Sequence, residues 1–322
     1  MSSINPGSRS SRKIDYLRIS VTDRCNLRCS YCIPKEGVYL EPQDQILTFE
    51  EIIRLVKILA SFGLRRVRLT GGEPLVRKGI IELIKQFNDI KGIDELCLTT
   101  NGILLANYAQ VLKQAGVSRV NISLDTLRKA KFELITGSSG FGQVMQAIDK
   151  VREVGFSSLG LNVVVMKGVN DDEIVDFVNF AKGKGLVLKF IEFMKVTPLW
   201  RERLFIPIEE VIDVCHQEFW LEKIEYKSQG PAQYYKAGNS MIGFIKTSRV
   251  NCDVCSRLRL TSTGQIKTCL YQPQGLSLRD LLRKGADDSY IKEAVRNLIS
   301  EKEEVNYTKW QESKVYMSSI GG

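Results

Sequence analysis

Three cysteines near the start of the chain form the pattern with the clearest chemical meaning. Cys25, Cys29 and Cys32 fall within eight residues, with three residues in the first gap and two in the second. Thiolates are soft ligands that favour zinc, copper(I) or iron–sulfur clusters. Three of them in one short loop can hold three corners of an iron–sulfur cubane and leave the fourth iron open to a small molecule with an amine and a carboxylate. A structural zinc ion normally takes four protein ligands, and no other Cys or His lies nearby in the sequence.

A second group of cysteines repeats this arrangement in the C-terminal part of the chain. Cys252 and Cys255 are separated by two residues, and Cys269 follows after thirteen more. Alone, this group fits a zinc ribbon that lacks one ligand, whereas beside the first group it indicates a second three-thiolate cluster. The remaining cysteines, Cys97 and Cys215, stand in apolar patterns and are expected to pack in the core.

The composition narrows the classes of function. The chain has 46 Lys and Arg against 37 Asp and Glu, a net charge of +9, which favours anionic partners. The single histidine, His216, argues against a His-centred triad and against a multi-His metal site. Residues 1–13 carry no apolar export segment, so a cytoplasmic location is expected, where eight cysteines indicate metal or redox chemistry rather than disulfides. No stretch is apolar enough to span a membrane.

The elements that must position the cysteines alternate between strand and helix. Strands are predicted at 15–22, 65–70, 95–99, 119–123, 160–166 and 187–193, with helices between them. Thr48 and Glu51 form a capping box that predicts the first helix, and Asn170 with Glu173 predicts the cap of a later one. Six strand–helix units in a row indicate a parallel sheet. No G-x-G-x-x-G follows the first strand, so a barrel is favoured over a doubly wound sheet.

The pattern changes after residue 225. Short strands are predicted at 234–245 and 258–268, and helices at 278–283 and 290–300. The predicted fold is therefore α/β, an incomplete (β/α)6 TIM-type barrel with a smaller C-terminal α+β module that closes it. We expect a flexible basic arm over 1–13, the partial barrel over 14–225, and the C-terminal module over 226–322.

Several motifs together resemble one known family. The Cys-x3-Cys-x2-Cys loop after a first strand resembles the radical S-adenosylmethionine (SAM) superfamily. Within it, the chain is similar to the GTP 3′,8-cyclase family, also called molybdenum cofactor biosynthesis A, from about Tyr16 to the last residue. The matching segments are SVTDRCNLRC (20–29), LTGGEPLVR (69–77), TTNG (99–102), NISLD (121–125), FIEFM (190–194), CSRLRLT (255–261) and a twin-glycine tail (321–322).

The resemblance implies a set of cofactors and site residues. Two [4Fe-4S] clusters are expected, one bound by Cys25, Cys29 and Cys32 with SAM on its free iron, and one bound by Cys252, Cys255 and Cys269 that orients the guanine. Residues expected to contact SAM are Tyr31, Gly72, Glu73, Ser123 and Met194. Residues expected to contact GTP are Arg18, Arg68, Thr99, Arg257 and Arg259. The cofactors carry the chemistry, so no catalytic side chain is assigned.

The resemblance also implies a reaction and partners. A radical derived from SAM removes the ribose 3′ hydrogen of GTP, and the ribose carbon joins C8 of guanine to give (8S)-3′,8-cyclo-7,8-dihydroguanosine 5′-triphosphate. This lyase reaction is the first step of molybdenum cofactor (molybdopterin) biosynthesis. The implied partners are a flavodoxin- or ferredoxin-type electron donor, the downstream cyclic pyranopterin monophosphate synthase and a second copy in a homodimer, with no membrane and no nucleic acid.

Two positions depart from the family pattern. Gly160 stands where the family usually has a lysine that meets the substrate phosphates, and Lys189 stands where an arginine is common. We expect Gly160 to weaken GTP binding without abolishing it. Three alternatives remain: a radical SAM enzyme with an auxiliary cluster that acts on another nucleotide or a peptide, a basic zinc-binding nucleic-acid module, and a noncatalytic paralogue.

Overall fold

The fold is seen in a computed structural model that describes residues 14–225, 231–246, 255–302 and 316–320. The predicted arm over 1–13, Cys252 and the twin glycines at 321–322 lie outside the described residues. The strands are β1 (Tyr16–Ser20), β2 (Arg66–Thr70), β3 (Glu95–Thr100), β4 (Arg119–Ser123), β5 (Ser158–Val165), β6 (Val187–Glu192), β7 (Glu222–Ile224), β8 (Ala232–Ala237), β9 (Ser240–Ile245), β10 (Arg257–Leu260), β11 (Gln265–Lys267) and β12 (Leu276–Ser277). The helices are α1 (Phe49–Ala60), α2 (Ile80–Gln86), α3 (Leu105–Gln114), α4 (Lys129–Thr136), α5 (Phe141–Val154), α6 (Ile174–Lys184), α7 (Ile208–Glu218), α8 (Leu278–Arg283), α9 (Asp288–Lys302) and α10 (Met317–Ile320).

The first six strands pair in chain order and run parallel, as the alternating sequence pattern predicts. A helix follows each of them, so the apolar outer face of the sheet is covered. Leu17, Leu69, Leu98 and Leu161 all have side chains with no measurable exposure in this layer. Burial of each such side chain contributes about 1.5–3 kcal/mol, which makes this layer the main source of stability.

The C-terminal strands extend the same sheet at both edges. β10 pairs parallel with β1 and continues antiparallel into β11 and β12, while β9 pairs parallel with β6 and continues into β8 and β7. Among the described residues, β7 and β12 do not pair with each other, so the sheet stays open. The fold class is confirmed as an α/β partial barrel, and the domain boundaries stay a prediction. Within the part of the chain that the structure describes, no helix is long and apolar enough to cross a bilayer.

The capping box predicted for the first helix is present. The Thr48 hydroxyl accepts a hydrogen bond from the Glu51 N–H, and the Glu51 carboxylate accepts one from the Thr48 N–H. Because this cap fixes where α1 begins, Ile52, Val56 and Leu59 fall on its buried face, as the sequence spacing predicts.

A helix follows Asn170 and Glu173 as predicted, but the predicted capping by their side chains is wrong. A single 3-10 turn precedes α6, and neither side chain makes a capping bond. The Asn170 amide instead bonds the backbone of Asp125, Val164 and Met166. The Glu173 carboxylate is fully buried and accepts bonds from the Thr126 hydroxyl and the Leu127 N–H. Both side chains therefore make hydrogen bonds to the loop after β4, and Asn170 also bonds the end of β5. Buried N–H and C=O groups there would otherwise lack partners.

Candidate functional site

A cavity of about 430 Å³ lies against the inner face of the sheet. Its walls are alternate residues of the strands, because every second side chain of a strand points to the same face. On β2 these are Arg66, Arg68 and Thr70, and on β4 they are Arg119, Asn121 and Ser123. Since the helices cover the other face, the chain's polar strand residues converge here. The volume is that of a pocket for a small molecule.

The first cysteine group lies at the end of the cavity where the parallel strands finish. Cys25, Cys29 and Cys32 all line it, and their sulfurs are close enough to act electrostatically on one another. Within the described residues, no three Cys, His, Asp or Glu side chains converge tightly enough for a single metal ion. Burial raises the pKa of the Cys25 and Cys29 thiols, and bonding to a metal is what deprotonates such thiols. Three thiols on one cavity are a soft donor set of the kind that iron–sulfur clusters take, and their role as cluster ligands stays a prediction.

The glycine pair after β2 holds this loop by close backbone packing. A Cβ at Gly72 would lie 2.3 Å from the Arg24 carbonyl oxygen, and one at Gly71 would lie 2.7 Å from that of Thr22. The Gly72 N–H donates to the Thr22 carbonyl at 2.7 Å, and the Glu73 N–H donates to that of Arg24 at 2.8 Å. Gly72 lines the cavity, but the close approach that requires glycine is to the cysteine loop rather than to a ligand.

Glu73 is held inside the fold. Its side chain is 1% exposed, and its oxygens accept hydrogen bonds from the Thr100 hydroxyl and the Asn101 N–H at 2.7 Å each and from the Leu75 N–H at 3.0 Å. Burial raises the pKa of Glu73 to about 7. Glu73 does not line the cavity, and the expectation that it contacts SAM stays a prediction. In the structure Glu73 joins the ends of β2 and β3 through the Thr100 hydroxyl and the Asn101 backbone N–H. The side-chain Nδ2 of the same Asn101 lies 3.8 Å from the Cys25 sulfur.

The other predicted SAM residues surround the same opening. Tyr31, Ser123 and Met194 all line the cavity. The Tyr31 ring packs edge-on against Phe193 with ring centroids 6.2 Å apart. Met194 also packs against a small apolar cluster that contains the buried Ile320 of α10. The residues before the twin-glycine tail therefore contact this end of the cavity.

The predicted GTP residues form a positively charged wall. Strand register places Arg18 beside both Arg259 and Arg68. The Arg68 guanidinium donates to the Tyr16 hydroxyl and, at 3.2 Å, to the Thr99 hydroxyl. Arg257, two residues before Arg259 on β10, also lines the cavity. All five predicted GTP residues are thus brought together.

Two of these arginines have donors without an acceptor. Among the described residues, neither Arg18 Nε nor Arg259 Nη1 has a hydrogen-bond partner, although both atoms are buried. Burial and the neighbouring Arg259 lower the pKa of Arg18 well below its usual value, and burial with Arg257 lowers that of Arg259 to about 10. A buried donor or charge without a partner is costly, so this wall is suited to a polyanionic ligand.

The second cysteine group is only partly described. Cys255 precedes β10, Cys269 follows β11, and both sulfurs act electrostatically on Arg259. Cys252 lies outside the described residues, so the full ligand set stays a prediction. The two remaining cysteines, Cys97 and Cys215, are buried as predicted.

Sequence reasoning gave no role to several residues that the site uses. Asp125 bonds the Tyr31 hydroxyl, Asn101 reaches the cysteine loop, and Asn121 and Asn162 line the cavity. Asn101 lies within the TTNG segment and Asp125 ends the NISLD segment. Their place directly after a strand was the available signal.

Comparison with known proteins agrees with this geometry. Residues 19–181 match the model of the radical SAM superfamily, and residues 186–308 match that of Molybdenum Cofactor Synthesis C. A GTP 3′,8-cyclase of Desulforamulus reducens is 42% identical over 97% of this chain and 98% of its own length. The chain belongs to the GTP 3′,8-cyclase family. Other members of this family include one from Thermodesulfovibrio yellowstonii at 40% identity over 97% of this chain and 98% of its own length, and a mitochondrial one from Arabidopsis thaliana at 42% over 89% of this chain and 75% of its own.

Solved structures show that this family member shares its fold with more distant proteins. Streptococcus suis SuiB bound to S-adenosylmethionine superposes with a TM-score of 0.60 at 17% identity, over 88% of this chain and 68% of that one. SuiB bound to the precursor peptide SuiA gives the same TM-score at 18% identity, over 88% of this chain and 67% of that one. At these identities the likeness concerns the fold alone.

Proposed function

We propose that this chain is a radical SAM lyase that converts GTP to (8S)-3′,8-cyclo-7,8-dihydroguanosine 5′-triphosphate, the first step of molybdenum cofactor biosynthesis. The observation that carries the substrate assignment is the pair of buried, unpartnered donors, Arg18 Nε and Arg259 Nη1, within the described wall of the cavity. Guanidinium groups bind phosphate oxygens through two parallel hydrogen bonds, so a triphosphate would satisfy both donors and neutralise the wall.

The cysteine end of the cavity would bind the first cluster and SAM. When bound, a [4Fe-4S] cluster and SAM supply the radical that starts the reaction. Cys25, Cys29 and Cys32 would hold the cluster, and Gly72 keeps their loop against the sheet. Tyr31 and Met194 would pack on SAM and exclude water from it. Ser123 lies at the end of β4 within reach of the same space.

The arginine wall would bind the substrate on the opposite side of the cavity. Arg18, Arg68 and Arg259 would hold the phosphates, and the Arg68–Thr99 contact would fix the guanidinium that lies nearest to β3. Because the cysteines line the same cavity, a substrate held by its phosphates at this wall would share that cavity with SAM. The arginines would therefore select the substrate by the place where they hold its phosphates, and no side chain is assigned as an acid or a base.

The second cluster and the partners complete the proposal. Cys252, Cys255 and Cys269 would hold a second [4Fe-4S] cluster beside Arg259, where an open iron could orient the guanine. A flavodoxin- or ferredoxin-type protein would supply the electron, and a cyclic pyranopterin monophosphate synthase would consume the product. Two observations support a second cluster at this place: thiolates are soft donors that suit iron–sulfur clusters, and Cys255 and Cys269 lie close enough to Arg259 to act on it electrostatically.

An anaerobic assay tests the function. Protein reconstituted with iron and sulfide is given SAM, dithionite and GTP, and both 5′-deoxyadenosine and the cyclised nucleotide are measured. We expect both products in the wild type and neither in Cys29→Ser. Formation of 5′-deoxyadenosine without loss of GTP would instead favour a radical SAM enzyme with another substrate.

The second cluster is tested by metal content. We expect about eight irons per chain in the wild type and about four in Cys29→Ser and in Cys255→Ser. Cys97→Ser is a matched control, because this thiol is buried in the sheet and should leave the iron content unchanged. Zinc in place of iron at the second site would contradict the proposal.

A further inference from the structure

The turn that follows β3 is built by side chains that bond the backbone two residues further on. The Gly102 N–H donates to the Thr100 hydroxyl at 3.1 Å, and the Ile103 N–H donates to Oδ1 of Asn101 at 3.1 Å. Gly102 has a φ of 86°, which favours glycine and lets the chain turn sharply at this place. The buried carboxylate of Glu73 accepts the Asn101 N–H at 2.7 Å. The backbone and the side chain of Asn101 are therefore both fixed.

These bonds determine which way the side-chain amide of Asn101 points. Its oxygen accepts the Ile103 N–H, so its NH2 group faces the other way, towards the first cysteine group. Nδ2 donates to Oδ1 of Asn26 at 2.8 Å, and it lies 3.8 Å from the Cys25 sulfur, which is its second acceptor. An NH2 group has two N–H bonds, so it can serve both acceptors. The amide therefore bonds the cysteine loop from a strand that ends 76 residues further along the chain.

The Cys25 sulfur thus receives N–H groups from two directions. The Leu27 N–H, within the loop, donates to it at 3.4 Å, and the Asn101 amide approaches it from the end of β3. Sulfur is a larger and weaker acceptor than oxygen, so its hydrogen bonds are longer. The Leu27 bond comes from the backbone of the loop itself, whereas the Asn101 bond can be removed by changing one side chain.

The effect of such a bond on an iron–sulfur cluster follows from charge. When a [4Fe-4S] cluster takes up one electron from a reductant, its net charge becomes more negative by one unit, and its ligand sulfurs carry part of that charge. An N–H group that donates to a ligand sulfur stabilises the reduced form more than the oxidised form, so it raises the reduction potential. In the proposed reaction the first cluster passes this electron to SAM. Its potential therefore determines which reductants can start the reaction.

We propose that Asn101 raises the reduction potential of the first cluster by donating its side-chain amide to the Cys25 thiolate. The inference rests on the proposed function, because it assumes that Cys25, Cys29 and Cys32 hold a [4Fe-4S] cluster. Asn101 acts through a ligand sulfur, and this role needs no contact with SAM or with the nucleotide. It is therefore a positioning residue rather than a catalytic one.

A redox titration of the first cluster alone tests the inference. In Cys255→Ser only the first cluster is expected, and its reduction can be followed anaerobically by electron paramagnetic resonance at pH 8 without SAM. In this background we would compare the wild-type residue at position 101 with Asn101→Leu and Asn101→Asp. Leucine has nearly the shape of asparagine but no donor, and aspartate replaces the donor with a negatively charged oxygen.

We expect the reduction potential to be lower in Asn101→Leu than with the wild-type residue, and lower still in Asn101→Asp. For Asn101→Leu the reduction equilibrium should shift roughly threefold to tenfold towards the oxidised form, which is at most about 59 mV for one electron. Asn101→Asp should shift it further, because a carboxylate beside the sulfur repels the added electron. All three proteins should hold about four irons per chain, so that the shift is not a loss of the cluster.

Two variants separate the sulfur contact from the other bonds of the amide. Asn26→Ala removes the second partner of the Asn101 NH2 group but leaves the bond to Ile103 and the contact with Cys25, so we expect the potential to stay unchanged. Asn107→Leu, at an exposed asparagine of α3, is the matched control and should also change nothing. A shift in Asn26→Ala equal to that in Asn101→Leu would assign the effect to the link with Asn26 and overturn the proposal.

The rate of SAM cleavage gives a second readout in the chain with all its cysteines. Reduced methyl viologen is a weaker reductant than dithionite, and both are small molecules that need no docking site. We expect Asn101→Leu to form 5′-deoxyadenosine roughly threefold to tenfold more slowly than the wild type with reduced methyl viologen, and at nearly the wild-type rate with excess dithionite. An equal loss with both reductants would indicate a purely structural role and overturn the proposal.

The remaining outcomes separate this inference from the proposed function. An unchanged potential in Asn101→Leu with its iron intact would overturn the role of Asn101. If Asn101→Leu loses its iron, Asn101→Asp decides, because it keeps the oxygen that accepts the Ile103 N–H, and a potential at or above that of the wild type would then overturn the role. Failure of the wild type to hold a [4Fe-4S] cluster or to cleave SAM would instead contradict the proposed function.

Discussion

The Tyr31 hydroxyl donates a 2.6 Å hydrogen bond to Oδ2 of Asp125, 94 residues away in the sequence. The other oxygen of Asp125 accepts the Val164 N–H at 2.8 Å. One buried carboxylate therefore joins the cysteine loop to the ends of β4 and β5. Burial raises the pKa of Asp125 to about 6, so the group is held by its bonds against an environment that disfavours its charge. The loop's position over the cavity depends on this link.

We predict that Asp125→Ala and Tyr31→Phe each lower the affinity for SAM, because either change removes the hydrogen bond that holds the tyrosine ring. A hydrogen bond to a charged group contributes about 1.5–3 kcal/mol, so a loss of roughly ten- to a hundredfold is expected. Equilibrium binding of SAM to the reconstituted protein measures it. The double variant should be little worse than either single one, since both remove the same bond. Strictly additive losses would show that the two residues act separately.

We predict that Gly72→Ala destabilises the cysteine loop, because the added methyl group would lie 2.3 Å from a backbone oxygen that cannot move alone. The expected result is loss of iron from the first cluster and a fall in the free energy of unfolding by about 1–3 kcal/mol. Iron analysis and urea denaturation measure the two effects. Gly142→Ala on α5 is the control, since a Cβ there has nothing within 4 Å. Full iron content in Gly72→Ala would contradict the packing argument.

We predict that Arg18→Met stabilises the chain without ligand while it abolishes tight GTP binding. The arginine is buried, its Nε lacks a partner among the described residues, and Arg259 lies beside it, so its removal relieves both desolvation and repulsion. A rise in Tm with at least a tenfold loss in GTP affinity is expected. Thermal unfolding and nucleotide titration provide the measurements. A fall in Tm would mean that Arg18 supports the fold rather than the ligand.

The sequence pattern predicts the parallel core because each segment carries its own signal. The strand predicted at 119–123 has the same first and last residues as β4 in the structure. The capping box at Thr48 correctly predicts the residue at which α1 begins. Local chemistry of this kind is readable without tertiary context. The Asn170 capping prediction fails for the opposite reason. The Asn170 side chain bonds the backbone carbonyl of Asp125, which is 45 residues away in the sequence. A capping rule that considers only neighbouring residues cannot predict such a distant partner.

The sequence pattern predicts the members of the site better than their contacts. The cysteines come from motif spacing, whereas the arginines were implied by the family resemblance. Strand alternation then brings Arg18, Arg68 and Arg259 to one face. The arrangement at Gly160 was not predictable, because the missing lysine suggests only a lost charge. The structure shows Lys189 from the next strand lying over the vacant position. Such compensation depends on register between strands, which the sequence does not encode locally.

The last prediction concerns the uptake of a proton by Lys189 when GTP binds. Burial, with Arg68 and Arg119 nearby, lowers the pKa of Lys189 from its usual value to about 7, and Cys97 is the other titratable group that faces it. At pH 8 most of this lysine is therefore neutral in the protein without ligand. A bound polyphosphate stabilises the ammonium form and raises the pKa, so GTP binding at pH 8 should take up close to one proton.

Calorimetric titrations in two buffers with different ionisation enthalpies measure this uptake. The uptake should disappear in Lys189→Met, and it should fall towards zero below about pH 6, where the lysine is already charged. The lowered pKa of Lys189 also determines how the free energy of unfolding changes with pH. Because the folded protein binds fewer protons than the unfolded chain between pH 7 and 10.5, the Lys189 contribution to the free energy of unfolding rises over that range. An equal proton uptake in the wild type and in Lys189→Met would show that the ammonium does not meet the phosphates.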